Sequence, residues 1–453
     1  MALATLLPNY ENDCGWYKNL PKRQPSATLK GAIKADIVVI GAGFTGLAAA
    51  RRLAQLAPDK HIVLLDALAI AMASSGRNSG FMIDLPHTLN SHSYTTHAQT
   101  DHNMIAFNRS GIAYAKSVVE EHNIACDWSE TGKIHGATSA TGSKSLLAYG
   151  KGLETLNEPF SLLSKQQMQD MTGLSYYHSG VFTPGTVMMQ PAAFVQGCAD
   201  HLPDNVSLYE NTPVTEYVWG SVSGKKGKPS QSPIKPHVLK TPHGQITTAQ
   251  VLLCNNGFAQ SFGQQKGRLV HVCTYGSMTG PMNEDQQKRL GGQKSWGLIP
   301  SHPAGATIRR TADQRLLIRS VFTCNPDLKY GQSQLKNIKA QHESSFKRRF
   351  YMLPELELED TWGGLLCMSN NEASFFGECQ PNVFAAVCQN GLGIARGTAA
   401  GKLLAELALG QDSELLQQQL AQPGPSWLPP QPFTNLGVSA TIAMHEMRAG
   451  REA

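Results

Sequence analysis

The sequence predicts an α/β fold with a buried parallel sheet near its N-terminus, and three stretches in order predict it. "DIVVI" (residues 36–40) is a short β-branched run, the pattern of a strand covered on both faces. "LAAARRLAQL" (47–56) repeats apolar residues at helical intervals. "HIVLLDA" (61–67) is a second buried strand. Strand, helix and strand in this order make the βαβ unit of a Rossmann-like sheet.

The first junction carries the chemistry. "GAGFTG" sets Gly41, Gly43 and Gly46 in G-x-G-x-x-G spacing, with Phe44 and Thr45 inside it. Gly41 permits the tight turn, and Gly43 lets backbone N–H groups approach a pyrophosphate at the helix N-terminus. Gly46 lets helix and strand pack closely. Asp66, followed by Ala67, closes the second strand and is placed to hydrogen-bond ribose hydroxyls. Glycines alone are a weak signal; strand, glycines, helix, strand and acid together specify a dinucleotide site. An acid with no Arg beside it disfavours a 2′-phosphate. That excludes NADP and leaves NAD or the ADP half of FAD.

Next comes "SSGRNSG", Ser74 to Gly80. Small residues let a backbone come close to a ligand. The stretch follows the carboxyl end of the second strand, where ligands of such sheets bind. Arg77 can neutralise phosphate charge, while Ser75, Gly76 and Asn78 offer hydrogen bonds at close range.

Bulk properties exclude other classes. A net charge of +5 on 453 residues is too small to argue for nucleic acid, and "GKKGKP" (224–229) reads as a solvated loop. Nine cysteines, none in C-x-x-C, suggest neither a disulfide framework nor zinc, so a reducing cytoplasm is expected. The N-terminus lacks the pattern of a signal peptide, and no run of about 18 apolar residues predicts a transmembrane helix. His87, His92, His97 and His102 recur every five residues, a period matching no helix or strand face, so no metal site is expected.

From "GAGFTGLAAARRLA" through "LLDA" to "SSGRNSG", the chain resembles the D-amino-acid oxidase/glycine oxidase family of FAD-dependent flavoproteins, nearest its γ-glutamylputrescine oxidoreductase-like branch. Nearly the whole chain takes part. Pro213 and Val214 stand where the family's backbone touches adenine. Asn255, Asn256 and Gly257 in "VLLCNNGFAQ" match a strand end of the family, and "IRRTADQRLLI" (308–318) matches a strand pair. "QNGLGIARG" matches the flavin-edge loop, with Asn390, Gly391, Leu392, Gly393 and Ile394 in its places. The helix N-terminus that follows would face the side of the ring where charge builds up on reduction.

The resemblance implies FAD, held non-covalently through residues 41–46, 66–67, 74–80, 214, 256–257 and 390–394. Cys367 lies near a position of covalent attachment in sarcosine oxidases and is read here as a buried structural thiol. It also implies oxidation of an amine or amino acid, with oxygen or another acceptor. Alternatives are a dehydrogenase and a non-catalytic scaffold of the same fold. A substrate carboxylate would be met by an Arg fork, for which Arg309 and Arg310 are the candidates; strand alternation allows only one to face the pocket. Tyr275 is a candidate to cap the pocket, and His87 and Asp84 follow the flavin loop directly. Two departures stand out. Arg319 and Ser320 replace a Gly-Gly pair of the family, and residues 316–318 (Leu-Leu-Ile) lack the Lys of sarcosine oxidases.

The expected organisation is a discontinuous FAD-binding domain (34–86, 184–263 and 362–410) and an interleaved mixed-sheet α+β substrate domain (87–183 and 264–361). An N-terminal arm (1–33) and a C-terminal extension (411–453) flank them. Residues 103–124 show helical periodicity, 220–237 form a Gly/Pro/Ser-rich hairpin insert, and "QPGPSWLPPQPF" (422–433) forbids a regular helix.

Overall fold

The aliphatic runs of the N-terminal region become the centre of a parallel sheet. The computed structural model describes residues 2–10, 12–86, 94–220 and 235–453. Along the chain, the elements that position the site begin with β1 (Gly31–Ile40), α1 (Phe44–Leu56), β2 (Ile62–Leu65) and α2 (Tyr94–His122). Then come β3 (Gly244–Leu253), β4 (Val270–Thr279), β5 (Thr307–Arg310), β6 (Leu316–Cys324) and α3 (Gln332–Arg349). β7 (Leu358–Met368), β8 (Val383–Val387), α4 (Gly393–Ala408) and α5 (Phe433–Ala449) complete the set.

In the nucleotide unit, β1 lies between β2 and β3, parallel to both, with Ile40 opposite Leu65 on one side and Leu253 on the other. β8 joins the far side of β3, also parallel. The period-2 pattern of β1 divides two cores. Ile37 and Val39 pack under α1 and α4 with Leu53 and Leu404, while Val38 and Ile40 pack with Leu239 and Ile246 on the other face. Residues 2–3, read as part of an N-terminal arm, add an antiparallel edge strand against Glu216–Tyr217.

The second unit is an eight-stranded mixed sheet in which β7, β4, β6 and β5 are neighbours in that order. Only Trp296–Pro300 with Lys133–Ala137 is a parallel pair. α3 covers one face, where Phe346 packs with Ile308, Leu316 and Ile318. The opposite face turns toward the nucleotide unit: Leu317 and Met278 belong to the same apolar core as Ile37 and Leu53.

Two expected boundaries move. β7 runs to Met368 inside the mixed sheet, so the last nucleotide segment starts after it and not at residue 362. α2, assigned to the substrate domain, buries Phe107, Ala115, Val118 and Val119 in the core of the nucleotide unit. Its apolar stripe has a partner there, and stripe burial decides where a helix docks. The C-terminal extension is anchored. The Glu452 carbonyl accepts from Ala306 N (2.7 Å) and Arg349 Nη2 (2.8 Å), and its carboxylate accepts from Thr138 N (2.7 Å). Residues 422–432 hold no helix, and Arg268 lies 4.2 Å from the Trp427 ring centroid. Most of the 220–237 insert lies outside the described residues, between two paired strands. No helix among the described residues is long and apolar enough to cross a membrane.

Candidate cofactor and substrate site

A cavity of about 1070 Å³ runs between the two sheets. That exceeds the usual few hundred to a thousand Å³ of a single small-molecule site, so a dinucleotide and a second ligand both have room.

Its first end is made of backbone. Gly41 has φ +100°, and a Cβ there would stand 2.9 Å from Asn255 Cα and the Cys254 carbonyl. A Cβ on Gly46 would lie 1.7 Å from the Gly41 carbonyl, so β1 and α1 approach as only glycine allows. α1 starts at Gly43 with no side-chain cap, leaving its first N–H groups open toward the cavity. Asp66 borders the cavity and accepts hydrogen bonds from Ala42 N (2.8 Å) and Leu68 N (2.9 Å). Burial outweighs those bonds and pushes its carboxyl up to about 6. Phe44, Thr45, Ala67 and Val214 complete this end.

The 74–80 stretch is a single helical turn (Ser74–Arg77) followed by a short strand at Phe81. Ser74, Ser75, Asn78 and Ser79 line the cavity, and Asn78 braces the turn by donating to the Ser75 carbonyl (2.7 Å) and accepting from Gly80 N (2.9 Å). Gly76 and Gly80 do not line it and serve close packing. A Cβ on Gly76 would meet the Ala71 carbonyl at 2.0 Å, and one on Gly80 the Met189 carbonyl at 2.2 Å. Arg77 lines the cavity as well. Its guanidinium donates to the carbonyls of Met72 (2.7 Å), Gly363 (3.2 Å) and Asn12 and to Tyr330 Oη (3.2 Å), beneath the Tyr10 ring. It ties the loop to β7.

At the flavin-edge loop, Asn390 accepts from Ser369 N (2.9 Å) and donates to the Glu372 and Cys388 carbonyls (2.9 and 3.1 Å). Asn256 accepts from Cys388 N (3.0 Å) and Gly257 packs on His271. Gly391, Leu392, Gly393 and Ile394 line the cavity, and α4 begins there without a side-chain cap. Cys367 borders the cavity, but hydrogen bonding with the Cys388 thiol and burial hold it well above its usual pKa, unlike a reactive thiolate.

The second end is formed by side chains of the mixed sheet, and the two arginines expected there lie elsewhere. Arg309 and Arg310 do alternate: Arg309 is level with Leu317 and Arg310 with Leu316. Neither lines the cavity. Arg309 donates to the carbonyls of Met189 (2.6 Å), Ser79 (3.0 Å) and Gly80 (3.3 Å), with its guanidinium 5.2 Å from the Trp16 ring centroid. Arg310, buried on the other face of the sheet, donates to Gln314 and the carbonyls of Gly291 and Gln293. Tyr275 borders the cavity without capping it. Its ring packs with Cys273, Leu335 and Ile338 on the α3 side, and its hydroxyl pairs with Thr323 Oγ1 (2.9 Å). Asp84 is buried against Arg109 and Thr186, away from the cavity. His87 lies outside the described residues.

The groups that do line this end are Thr307, Leu317, Arg319 and Phe322, facing Phe81, Met104 and Phe107. Sequence reasoning noted Arg319 only as a departure. The available signal was strand period: Leu317 and Arg319 share a face, and Thr307 lies opposite Arg319. Missed altogether were Arg396 in the first turn of α4 and Gln389.

The residues fit a large polar cofactor. Both amide atoms of Gln389, Asn255 Oδ1 and Thr274 Oγ1 are buried on this cavity with no hydrogen-bond partner among the described residues, and such groups ordinarily find one. With two uncapped helix N-termini and an acid at the β2 end, the site and sheet define a dinucleotide-dependent enzyme. The model of the FAD-dependent oxidoreductase family matches residues 36–407, and the chain belongs to that family. It is similar to a probable oxidoreductase OrdL of Rhizobium meliloti (26% identity, covering 90% of this chain and 91% of the relative). It is also similar to gamma-glutamylputrescine oxidoreductase of Escherichia coli (24%, 86% and 87%). Glycine oxidase from Geobacillus kaustophilus shares the fold, with a TM-score of 0.68 at 17% identity over 84% of this chain and 96% of that one.

Proposed function

We propose that the protein oxidises the C–N bond of an amine or amino acid to an imine, with its electrons passing to oxygen or to another acceptor. FAD, when bound, supplies the two-electron acceptor, taking a hydride at flavin N5. One observation carries the reading: the cavity that holds the dinucleotide site continues without a break into a second compartment walled by Phe81, Met104, Phe107 and Leu317.

The chain's own residues then have defined tasks. Residues 41–46, 66–67 and 214 would hold the ADP half, and 74–79, 256–257 and 389–394 the flavin half. The apolar walls exclude water and disfavour an ammonium, so the amine reacts as the neutral base. Asn390 and Asn256 fix the 389–394 loop, whose N–H groups would stabilise negative charge on the bound cofactor. We infer a cytoplasmic setting from nine unbridged cysteines, seven of them buried.

The test is an anaerobic titration of the FAD-loaded protein with amines and amino acids, following the visible flavin absorbance. Bleaching by one of them is expected, and readmitted air then separates oxidase from dehydrogenase. A protein that holds FAD yet is bleached by dithionite and by no amine would overturn the proposal.

A further inference from the structure

Two thiols from different sheets meet at the flavin-edge loop. Cys367 stands on β7 of the mixed sheet and lines the cavity. Cys388 directly follows β8 of the nucleotide sheet and opens the turn that runs through Asn390 to Gly393. Both are buried, and with Leu269 they form one small apolar cluster. The two thiols hydrogen-bond each other. Cys388 Sγ also reaches the Cys367 carbonyl (3.8 Å) and Asn390 Oδ1 (3.7 Å). Neither is bridged.

The chain accepts strain to hold this pair. Cys388 has φ +67°, in the left-handed region that a residue with a Cβ disfavours. Asn256 pins it there by accepting from its backbone N–H (3.0 Å). Strained residues of this kind collect at functional sites, and packing alone would be served without strain by glycine. Beside the pair stands a base. His271 lines the cavity and is level with Cys367 in the ladder between β4 and β7. Both crowd Gly257, where an added Cβ would lie 2.4 Å from His271 Nε2 and 3.3 Å from Cys367 Cβ. Burial lowers the His271 pKa, so its imidazole is neutral and able to take a proton. Burial and their mutual hydrogen bond keep the thiols protonated, so a proton must leave each sulfur as its electron does.

We propose that Cys367 and Cys388 are a redox pair that closes to a disulfide by giving two electrons to the bound FAD. In that step both S–H bonds break and one S–S bond forms. Two electrons and one proton pass to the cofactor, which becomes its anionic reduced form, and the second proton goes to His271. Cys367, on the cavity, is the thiol that meets the cofactor, and Cys388 behind it closes the bond. Protonated thiols are poor nucleophiles, so the pair is inert toward solvent reagents and reacts through the cofactor. Pair and cofactor together then store twice the electrons of the cofactor alone. The proposal needs FAD to bind and is independent of which substrate reduces it.

The test counts electrons and thiols. The FAD-loaded protein is exposed to air until its flavin is fully oxidised, then titrated anaerobically with dithionite, as wild type, Cys388→Gly and Cys367→Ala. Glycine suits φ +67°, so Cys388→Gly should fold and hold FAD. The wild type should consume about twice the electrons per FAD that either variant does. Denatured before the titration, it should show two fewer free thiols than its nine cysteines, and the full nine afterwards. Mass spectrometry should find the peptides carrying Cys367 and Cys388 linked only before reduction. Equal electron consumption in wild type and Cys388→Gly overturns the proposal, as does a full thiol count in the air-exposed protein. FAD that stays attached to the Cys367 peptide after denaturation also overturns it, because that sulfur is then not free to pair.

Discussion

The two ends of the cavity are built from different materials. The dinucleotide end is backbone: a +100° φ at Gly41, a helix start at Gly43, and an acid fixed by two amides. The substrate end is side chain: Thr307, Leu317, Arg319 and Phe322 projecting from strands that meet only in the folded sheet. Where the protein recognises a feature shared by all dinucleotides it uses rigid main chain. Where it must choose a substrate it uses residues that can be exchanged without rebuilding the fold. Arg309 and Arg319 show the contrast on one hairpin. They share a sheet face, yet Nη1 of the first donates to three carbonyls outside the cavity while the second lines the cavity with no hydrogen bond or ion pair to a described residue.

The most severe way to break the comparison is Gly46→Ala. Its Cβ would fall 1.7 Å from a backbone oxygen that cannot retreat. A cost on the order of 3 kcal/mol or more is expected. The variant should purify without FAD and with a lowered thermal midpoint. A yellow, fully loaded Gly46→Ala protein would contradict the close approach of α1 and β1.

Arg309→Met comes next. It leaves the Ser79 and Met189 carbonyls without this donor, at a cost of about 2 kcal/mol. Faster FAD release and a lower melting temperature should follow. Arg319→Met, by contrast, removes a half-buried charge that pairs with no described residue and should melt at or above the wild-type temperature. Differential scanning fluorimetry of the two variants side by side checks this, and similar losses in both would remove the distinction.

A smaller effect is expected from Asp66, with a sign that depends on what is bound. Its folded pKa of about 6 lies above the ordinary 3.8, so the FAD-free protein loses stability as pH rises through that window. Ribose hydroxyls donate to the ionised form, so FAD affinity should weaken as pH falls through about 6. Asp66→Asn should bind FAD roughly tenfold more weakly and with little pH dependence over the same range. Flavin fluorescence titrations between pH 5 and pH 8 read both.

Lys133 sharpens the picture away from the cavity. It is buried, donates to Thr183 Oγ1 (2.9 Å), and burial lowers its pKa to about 8. The unfolded chain then binds more protons than the folded one between about 8 and 10.5, so stability contributed at this site rises with pH across that window. Lys133→Met should remove that rise in thermal scans and leave flavin binding unchanged.

The sequence by itself determined the parallel sheet, the glycine turn, Asp66 and the 74–80 loop as a cofactor end. These lie within about fifty consecutive residues, and their function follows from backbone geometry that local residue types dictate. Tertiary structure alone decided the rest. Residues 316–319 were readable as a strand, but which arginine reaches the cavity depends on the register of β5 against β6 and on which carbonyls lie within a guanidinium's reach. Arg77 looked free for phosphate because its four acceptors come from residues 12, 72, 330 and 363, far apart in the chain. α2 changed partner for the same reason: a periodic stripe shows that a helix will bury one face, and only the assembled core shows against what.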